Sequence, residues 1–282
     1  MSDGHKHDHG HKHEPSHEGQ YKTRFHDPQH AADFDRRTSE VRADLAEKLA
    51  DMLALAGDER ILDVATGTGR IARPVAKRLK GGGIVGIDEA AAMLDVGHRH
   101  EEAIRGYLQC AGAADALPFA ARSFDRAFVS FSVHHFGSPE GVVREVLRVL
   151  RNGGKFVVLE PVLKESHDAI DAALETVVNQ VFRRTHGDAF RFQTASGLQR
   201  LLLKAGYRIG RATVATYSFH QHGMEGIPMG AHWLEVGDEL AAGPADVRER
   251  LKESYFTSHQ HGDAVHVSGS FAYALIRAEK PE

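Results

Sequence analysis

Ile61-Leu62-Asp63-Val64-Ala65-Thr66-Gly67-Thr68-Gly69 is the stretch that decides the fold. Ile61, Leu62 and Val64 form the apolar run of a strand covered on both faces. The run ends beside a carboxylate and turns through a loop whose Gly67 and Gly69 carry no Cβ to obstruct a ligand. Residues 70–79 follow with Ile71, Val75 and Leu79 on one helical face. Pro74 falls early enough in that helix for its missing N–H to cost little. The unit reads as strand, glycine loop, helix, the nucleoside-binding end of a doubly wound α/β sheet.

The same loop spells Gly67-x-Gly69-x-x-Ala72, which also fits the dinucleotide fingerprint, with Asp88 near the expected acidic position. Asp63 counts against a dinucleotide, because its charge repels a pyrophosphate and attracts an ammonium or sulfonium. A second strand, residues 83–88, again ends in a carboxylate, and Asp88 there can accept two O–H bonds from a ribose diol. Asp115, beyond a short strand around residues 107–110, can accept the exocyclic amine of an adenine. Any one of these aspartates is as well explained by a helix cap or a turn. Three at successive strand ends point to a nucleoside carrying positive charge.

In order along the chain stand Leu62-Asp63-Val64-Ala65-Thr66-Gly67-Thr68-Gly69, Gly86-Ile87-Asp88 with Met93-Leu94, and Asp115-Ala116-Leu117-Pro118-Phe119 followed by Ser123-Phe124-Asp125. Val133-His134-His135-Phe136 and Leu150-Arg151-Asn152-Gly153-Gly154-Lys155-Phe156 complete the set. Over about residues 38–160 this resembles the class I S-adenosylmethionine-dependent methyltransferases, in the small-molecule branch with the ubiquinone/menaquinone C-methyltransferases. Ala65 departs from the pattern, since many members carry a glycine there.

The resemblance implies a seven-stranded Rossmann-like sheet, mostly parallel with an antiparallel last strand and helices on both faces. It implies S-adenosylmethionine as cofactor. Asp63, Ala65, Thr66, Gly67, Thr68 and Gly69 would hold the methionine end, Asp88 with Glu89 the ribose, and Asp115 with Ala116 the adenine. Met93 would flank the base, although a methionine at helical spacing is commonly core. Ser130 to His135 would face the methyl group. Methyl transfer is an in-line displacement that depends mainly on alignment. An acceptor that must lose a proton also needs a base, for which His134 and His135 are the candidates.

The composition suits an enzyme with one sizeable domain: 282 residues, 41% hydrophobic, with a formal net charge of −4. No basic field invites nucleic acid, so the expected partner is a small-molecule acceptor. No apolar run resembles a signal peptide or approaches the ~20 residues that span a bilayer. The single cysteine, Cys110, excludes an intrachain disulfide framework and suits a reducing cytoplasm, where it is expected as buried filler at a strand end. Nothing in the sequence sets the oligomeric state.

Residues 1–20 read as a disordered His-rich tail and 21–282 as the methyltransferase domain. The charged segment 21–37 is placed to fold over the cofactor mouth, and the first helix is expected over 38–55, with Val41, Leu45, Leu49 and Met52 as its apolar stripe. Ser138-Pro139-Glu140 opens a helix with cap, N1 proline and first-turn acid. Strands are expected at 124–131, 155–160, 207–219 and 266–278, with helices at 167–184 and 194–205. The long connection 219–265, with one amphipathic helix near 246–255, reads as a substrate-side insertion.

Histidine is the other compositional anomaly, at 20 in the chain. His5, His7, His9, His11 and His13 alternate with other residues, so an extended chain presents all five imidazoles on one side. Imidazole suits zinc, nickel and copper, so this tail is a candidate site for a divalent transition metal. A second group, His220, His222, His259 and His261 with His266, flanks the insertion and is expected to converge at the substrate edge. Two rival readings remain at this level: a metal-handling protein that uses the fold as scaffold, and a nicotinamide-dependent oxidoreductase.

Overall fold

The computed structural model describes residues 25–38, 43–100, 106–222, 230–261 and 264–282. The proposed tail at 1–20 and its histidines lie outside these residues.

The apolar run around Ile61 becomes β1 (Arg60–Val64), and it sits between two parallel neighbours. On one side are β2 (Gly83–Asp88) and β3 (Tyr107–Ala111), on the other β4 (Phe124–Ser130) and β5 (Leu150–Leu163). The sheet then reverses. β9 (Ala264–Glu279) runs antiparallel to β5, and β7 (Arg208–His222) runs antiparallel to β9, giving the order β3-β2-β1-β4-β5-β9-β7. Two strands beyond the expected seven are present. β6 (Gln193–Thr194) extends β5, and β8 (Phe256–His261) forms a hairpin with β9. Both escape a reading of the sequence because one is two residues long and the other is too polar to resemble a buried strand.

Period-two alternation splits the core between the sheet's faces. Phe128, Val157 and Leu159 pack with helices α2 (Ala43–Leu53), α3 (Ala72–Ala76) and α6 (Ala169–His186). Ala127, Val129, Phe156 and Val158 pack with α5 (Pro139–Val149) and α7 (Ala195–Lys204). Each fully buried phenylalanine or branched side chain in these layers contributes roughly 1.5–3 kcal/mol. The sequence cap at Ser138 forms, its side chain accepting from the Gly141 N–H at 3.2 Å.

Near the glycine loop the helices depart from expectation. α1 (Pro28–Thr38) is separate from α2, which ends before Ala54, a residue at φ +52°. The helix expected over 70–79 is α3 alone, because Lys80 and Gly81 turn back to donate to the Gly57 carbonyl. α1 packs Ala31 and Phe34 against Ala90, Met93 and Val96 around α4 (Ala91–His98). Cys110 is half-buried rather than fully buried, and desolvation raises its thiol pKa.

Register explains where the second half of the chain goes. Residues 272–279 of β9 pair with β5, whereas 264–269 continue past the end of β5 and pair instead with β8. β7 follows β9 along both sections. A three-stranded antiparallel extension therefore projects beyond the carboxyl edge of the parallel strands. Its connection holds α8 (Gly230–Ala241), not anticipated from sequence, and α9 (Ala245–Ser254). Trp233 of α8 stacks on Tyr255 at 5.1 Å and lies 5.4 Å from Phe271, anchoring the helix to the extension.

Candidate functional site

The carboxyl edge of β1 brings the loop residues together around Asp63. Asp63 is 1% exposed, and its Oδ2 accepts from the Thr66 hydroxyl at 2.5 Å. Thr66 Oγ1 also meets the Tyr107 hydroxyl at 2.9 Å. Asp63 Oδ1 is buried with no hydrogen-bond partner. Burial raises this carboxyl's pKa well above the usual range; the Thr66 bond opposes the shift and the Asp88 charge adds to it. A cation next to Oδ1 would restore the ionised form and satisfy the orphaned acceptor. The Cβ of Ala65 costs about 1–2 kcal/mol at its left-handed φ of +55°, so the loop keeps a glycine-like turn without the glycine.

Asp88 ties this loop to the second strand. Its Oδ2 accepts from the Gly67 N–H at 2.8 Å and its Oδ1 from the Ala90 N–H at 2.9 Å. Desolvation raises its pKa and these two bonds oppose the rise. Each oxygen retains a further lone pair for a diol. Met93 is buried, with its methyl near the Gly67 backbone. Glu89, Asp115 and Ala116 are exposed and Ser130 is half-buried at the end of β4. Asp115 lies near Gly141 at the start of α5.

α1 closes over the loop through residues that the motif search did not select. Asp35 accepts from the Thr68 hydroxyl at 2.5 Å and stands 3.0 Å from His100 Nε2. The guanidinium of Arg70 lies 5.7 Å from the Phe34 ring and 5.5 Å from the Phe131 ring. Burial lowers its pKa while Asp35 opposes the change. Asp35 and Arg70 carry no local spacing signal, since their roles depend on a helix packed across the sheet edge.

The two histidine candidates separate sharply. Glu160 of β5 is buried, and its carboxylate accepts from the backbone N–H groups of Ser132 (3.0 Å), Val133 (3.2 Å) and His134 (3.1 Å). It also bonds His134 Nδ1. This pairing makes Nδ1 the donor and leaves His134 Nε2 as an acceptor, buried and without a partner. His135 lies beside it, its ring tilted by 47° at 4.1 Å, with Phe190 at 5.3 Å and His186 at 6.0 Å. Burial, then His134 and His186, hold the His135 pKa well below its ordinary value. Glu160 was legible in principle, as another carboxylate near a strand's carboxyl end.

Of the insertion histidines, His220 is exposed and its Nδ1 meets Ser268 Oγ at 2.5 Å across the β7–β9 pair. His222, His259 and His261 occupy positions on β7 and β8. Among the described side chains, no group of three His, Cys, Asp or Glu already holds metal-binding geometry. The side chains of His222, His259 and His261 are outside that described set.

Residues 62–158 match a family described as a methyltransferase domain. Over those residues the chain is similar to methyltransferase domains, and its fold is shared with solved methyltransferase structures. The particular likeness is to quinone-pathway enzymes. A demethylmenaquinone methyltransferase of Renibacterium salmoninarum is 39% identical over 112 residues, 40% of this chain and 45% of that one. A ubiquinone/menaquinone biosynthesis C-methyltransferase of Roseobacter denitrificans is 35% identical over 131 residues, 43% of this chain and 52% of that one. The chain thus spans about half the length of these curated relatives. Among solved structures, the YcgJ protein from Bacillus subtilis superposes with a TM-score of 0.66 at 21% identity, covering 84% of this chain and 98% of that one. The Haemonchus contortus phosphoethanolamine N-methyltransferase 2 in complex with S-adenosyl-L-methionine gives 0.59 at 13%, covering 96% and 61%.

Proposed function

We propose that this chain transfers a methyl group from S-adenosylmethionine to a small organic acceptor. The observation that carries this is the buried, unpartnered Oδ1 of Asp63 beside the glycine loop, which fits a cationic cofactor and disfavours a pyrophosphate. Asp63 and the Ala65, Thr66, Gly67, Thr68 and Gly69 backbone hold the methionine end. Asp88 holds the ribose, with Glu89 beside it. Asp115 and Ala116 hold the base, which Met93 flanks. When bound, the cofactor supplies the electrophilic methyl. His134, fixed by Glu160, offers Nε2 to a proton leaving the acceptor.

The names of the relatives favour a quinone-like ring methylated at carbon. The insertion forms the acceptor side, with His220, His222, His259 and His261 along it. No helix of the described residues is long and apolar enough to cross a membrane, in keeping with a cytoplasmic enzyme. The tail histidines His5, His7, His9, His11 and His13 bind divalent transition metals apart from the chemistry.

Mass spectrometry after incubation with isotopically labelled S-adenosylmethionine and a reduced quinone precursor tests this reading. The label should appear in a single methylated product. The variant His134→Asn keeps a donor toward Glu160 but lacks Nε2, and its turnover should fall about 10²-fold. Tight NADH binding with no detectable S-adenosylmethionine binding would overturn the assignment, and undiminished turnover in His134→Asn would remove the base.

A further inference from the structure

One contact that holds Asp63 in place begins two strands away. Thr66 has a single hydroxyl proton, and it is donated to Asp63 Oδ2 at 2.5 Å. The 2.9 Å contact between Thr66 Oγ1 and the Tyr107 hydroxyl therefore has the phenol as donor. Burial, then the Asp63 charge, raise the Tyr107 pKa, so the phenol keeps the proton that this direction requires. Tyr107 opens β3, with β2 between it and the strand of Asp63, and it reaches the loop past two glycines. A Cβ on Gly69 would collide with its hydroxyl, and a Cβ on Gly86 of β2 would lie 2.6 Å from Thr66 Oγ1. Both positions clear the path of these bonds, a demand separate from the approach of a ligand.

We propose that Tyr107 is a positioning residue for the cofactor: its phenol orders the Thr66 hydroxyl, which holds Asp63 Oδ2 and leaves Oδ1 for the ammonium at the methionine end of S-adenosylmethionine. Donation runs one way, from Tyr107 to Thr66 to Asp63, and only the Asp63 Oδ1 end of the chain is left without a partner. A hydroxyl that accepts one bond donates a stronger one. The phenol thereby favours the ionised form of a carboxylate that burial disfavours. Without it the buried Thr66 oxygen loses a donor and the bond to Asp63 weakens. This inference rests on the reading of Asp63 as the group that meets the cofactor's positive charge.

The test is calorimetric binding of S-adenosylhomocysteine, whose ammonium supplies the cation, to the full-length chain over a range of pH. Tyr107→Phe removes the hydroxyl and keeps the ring, and affinity should fall about 5-fold, the scale of one net hydrogen bond. In a Thr66→Val background the same substitution should change affinity by less than about two-fold, because the residue through which the phenol acts is gone. Acid protonates Asp63 and weakens binding, and in Tyr107→Phe this loss should begin at a higher pH than in the wild type. Asp88 faces Asp63 and Arg73 faces Tyr107, and the substitution leaves both charges in place. Should Thr66→Val not fold, the displaced acid limb decides alone. Wild-type affinity in Tyr107→Phe, an equal loss in both backgrounds or an unmoved acid limb would each overturn the positioning role and leave the methyl-transfer reading standing. A wild-type chain that binds no S-adenosylhomocysteine at any pH overturns both.

Discussion

The β1–β4 half and the β7–β9 extension are built from the same sheet and obey different rules. In the first, each functional atom sits within a few residues of a strand's carboxyl end. The Thr66 hydroxyl donates to Asp63 at 2.5 Å and the Gly67 N–H to Asp88 at 2.8 Å, within the loop itself. In the extension, neighbours such as Trp233 and Tyr255, or Trp233 and Phe271, meet only because of packing. The glycine loop is thus specified largely by local sequence, and the extension by tertiary contacts.

The sharpest way to break this contrast is to strike each half and read both activities. Asp63→Ala removes the buried carboxylate with the unpartnered Oδ1 beside the glycine loop. S-adenosylhomocysteine binding by calorimetry should weaken by about 2 kcal/mol or more, the scale for truncating one partner of a desolvated charge pair. Wild-type affinity in that variant would mean that the buried carboxylate serves only the loop.

A smaller effect, with the opposite partition, is expected from Gly269→Ala. A Cβ there would lie 2.2 Å from the Tyr255 carbonyl oxygen, which already accepts from the Ser270 N–H at 2.7 Å. The β8–β9 hairpin must shift, at a cost of about 1–3 kcal/mol in stability. Acceptor turnover should drop while S-adenosylhomocysteine affinity stays within about two-fold of wild type. Loss of both together would show that the extension and the glycine loop form one cooperative unit.

The contrast also explains what the sequence made legible. The glycine loop, the carboxylates of β1 and β2 and the cap at Ser138 follow from local spacing, and they stand where that spacing puts them. Ala65 needed the structure, since only its φ shows that alanine tolerates the turn. Asp35 and Tyr107 reach the loop across separate elements and leave no periodic trace. His134 and His135 are adjacent in sequence and were indistinguishable until Glu160 took Nδ1 of one and burial shaped the other. α8 was missed although Trp233, Val236 and Leu240 lie buried along one face at helical spacing, a short period set between polar flanks.

Acid should act with opposite sign on two groups of the β1–β4 half itself, and this is the smallest effect. Asp63 has a raised folded pKa, so its contribution to stability is present below its unfolded value near 3.8 and is lost as pH rises through the folded value. His135 behaves oppositely. Its folded pKa is depressed below 6.5 by burial and by His134 and His186, so the unfolded chain binds the proton first. Its contribution is fully present above 6.5 and falls on acidification, by at most about 1.4 kcal/mol per pH unit for one proton. His135→Phe keeps an aromatic ring near Phe25 and Phe190, which lie 5.9 and 5.3 Å from the imidazole, and removes the titration. Thermal melts of wild type and variant between pH 7.5 and 5.5 should therefore diverge as the pH falls below about 6.5, with the variant losing less stability. Parallel curves would mean that the cluster opens to water before His135 charges, and that the turn after β4 is looser than its packing suggests.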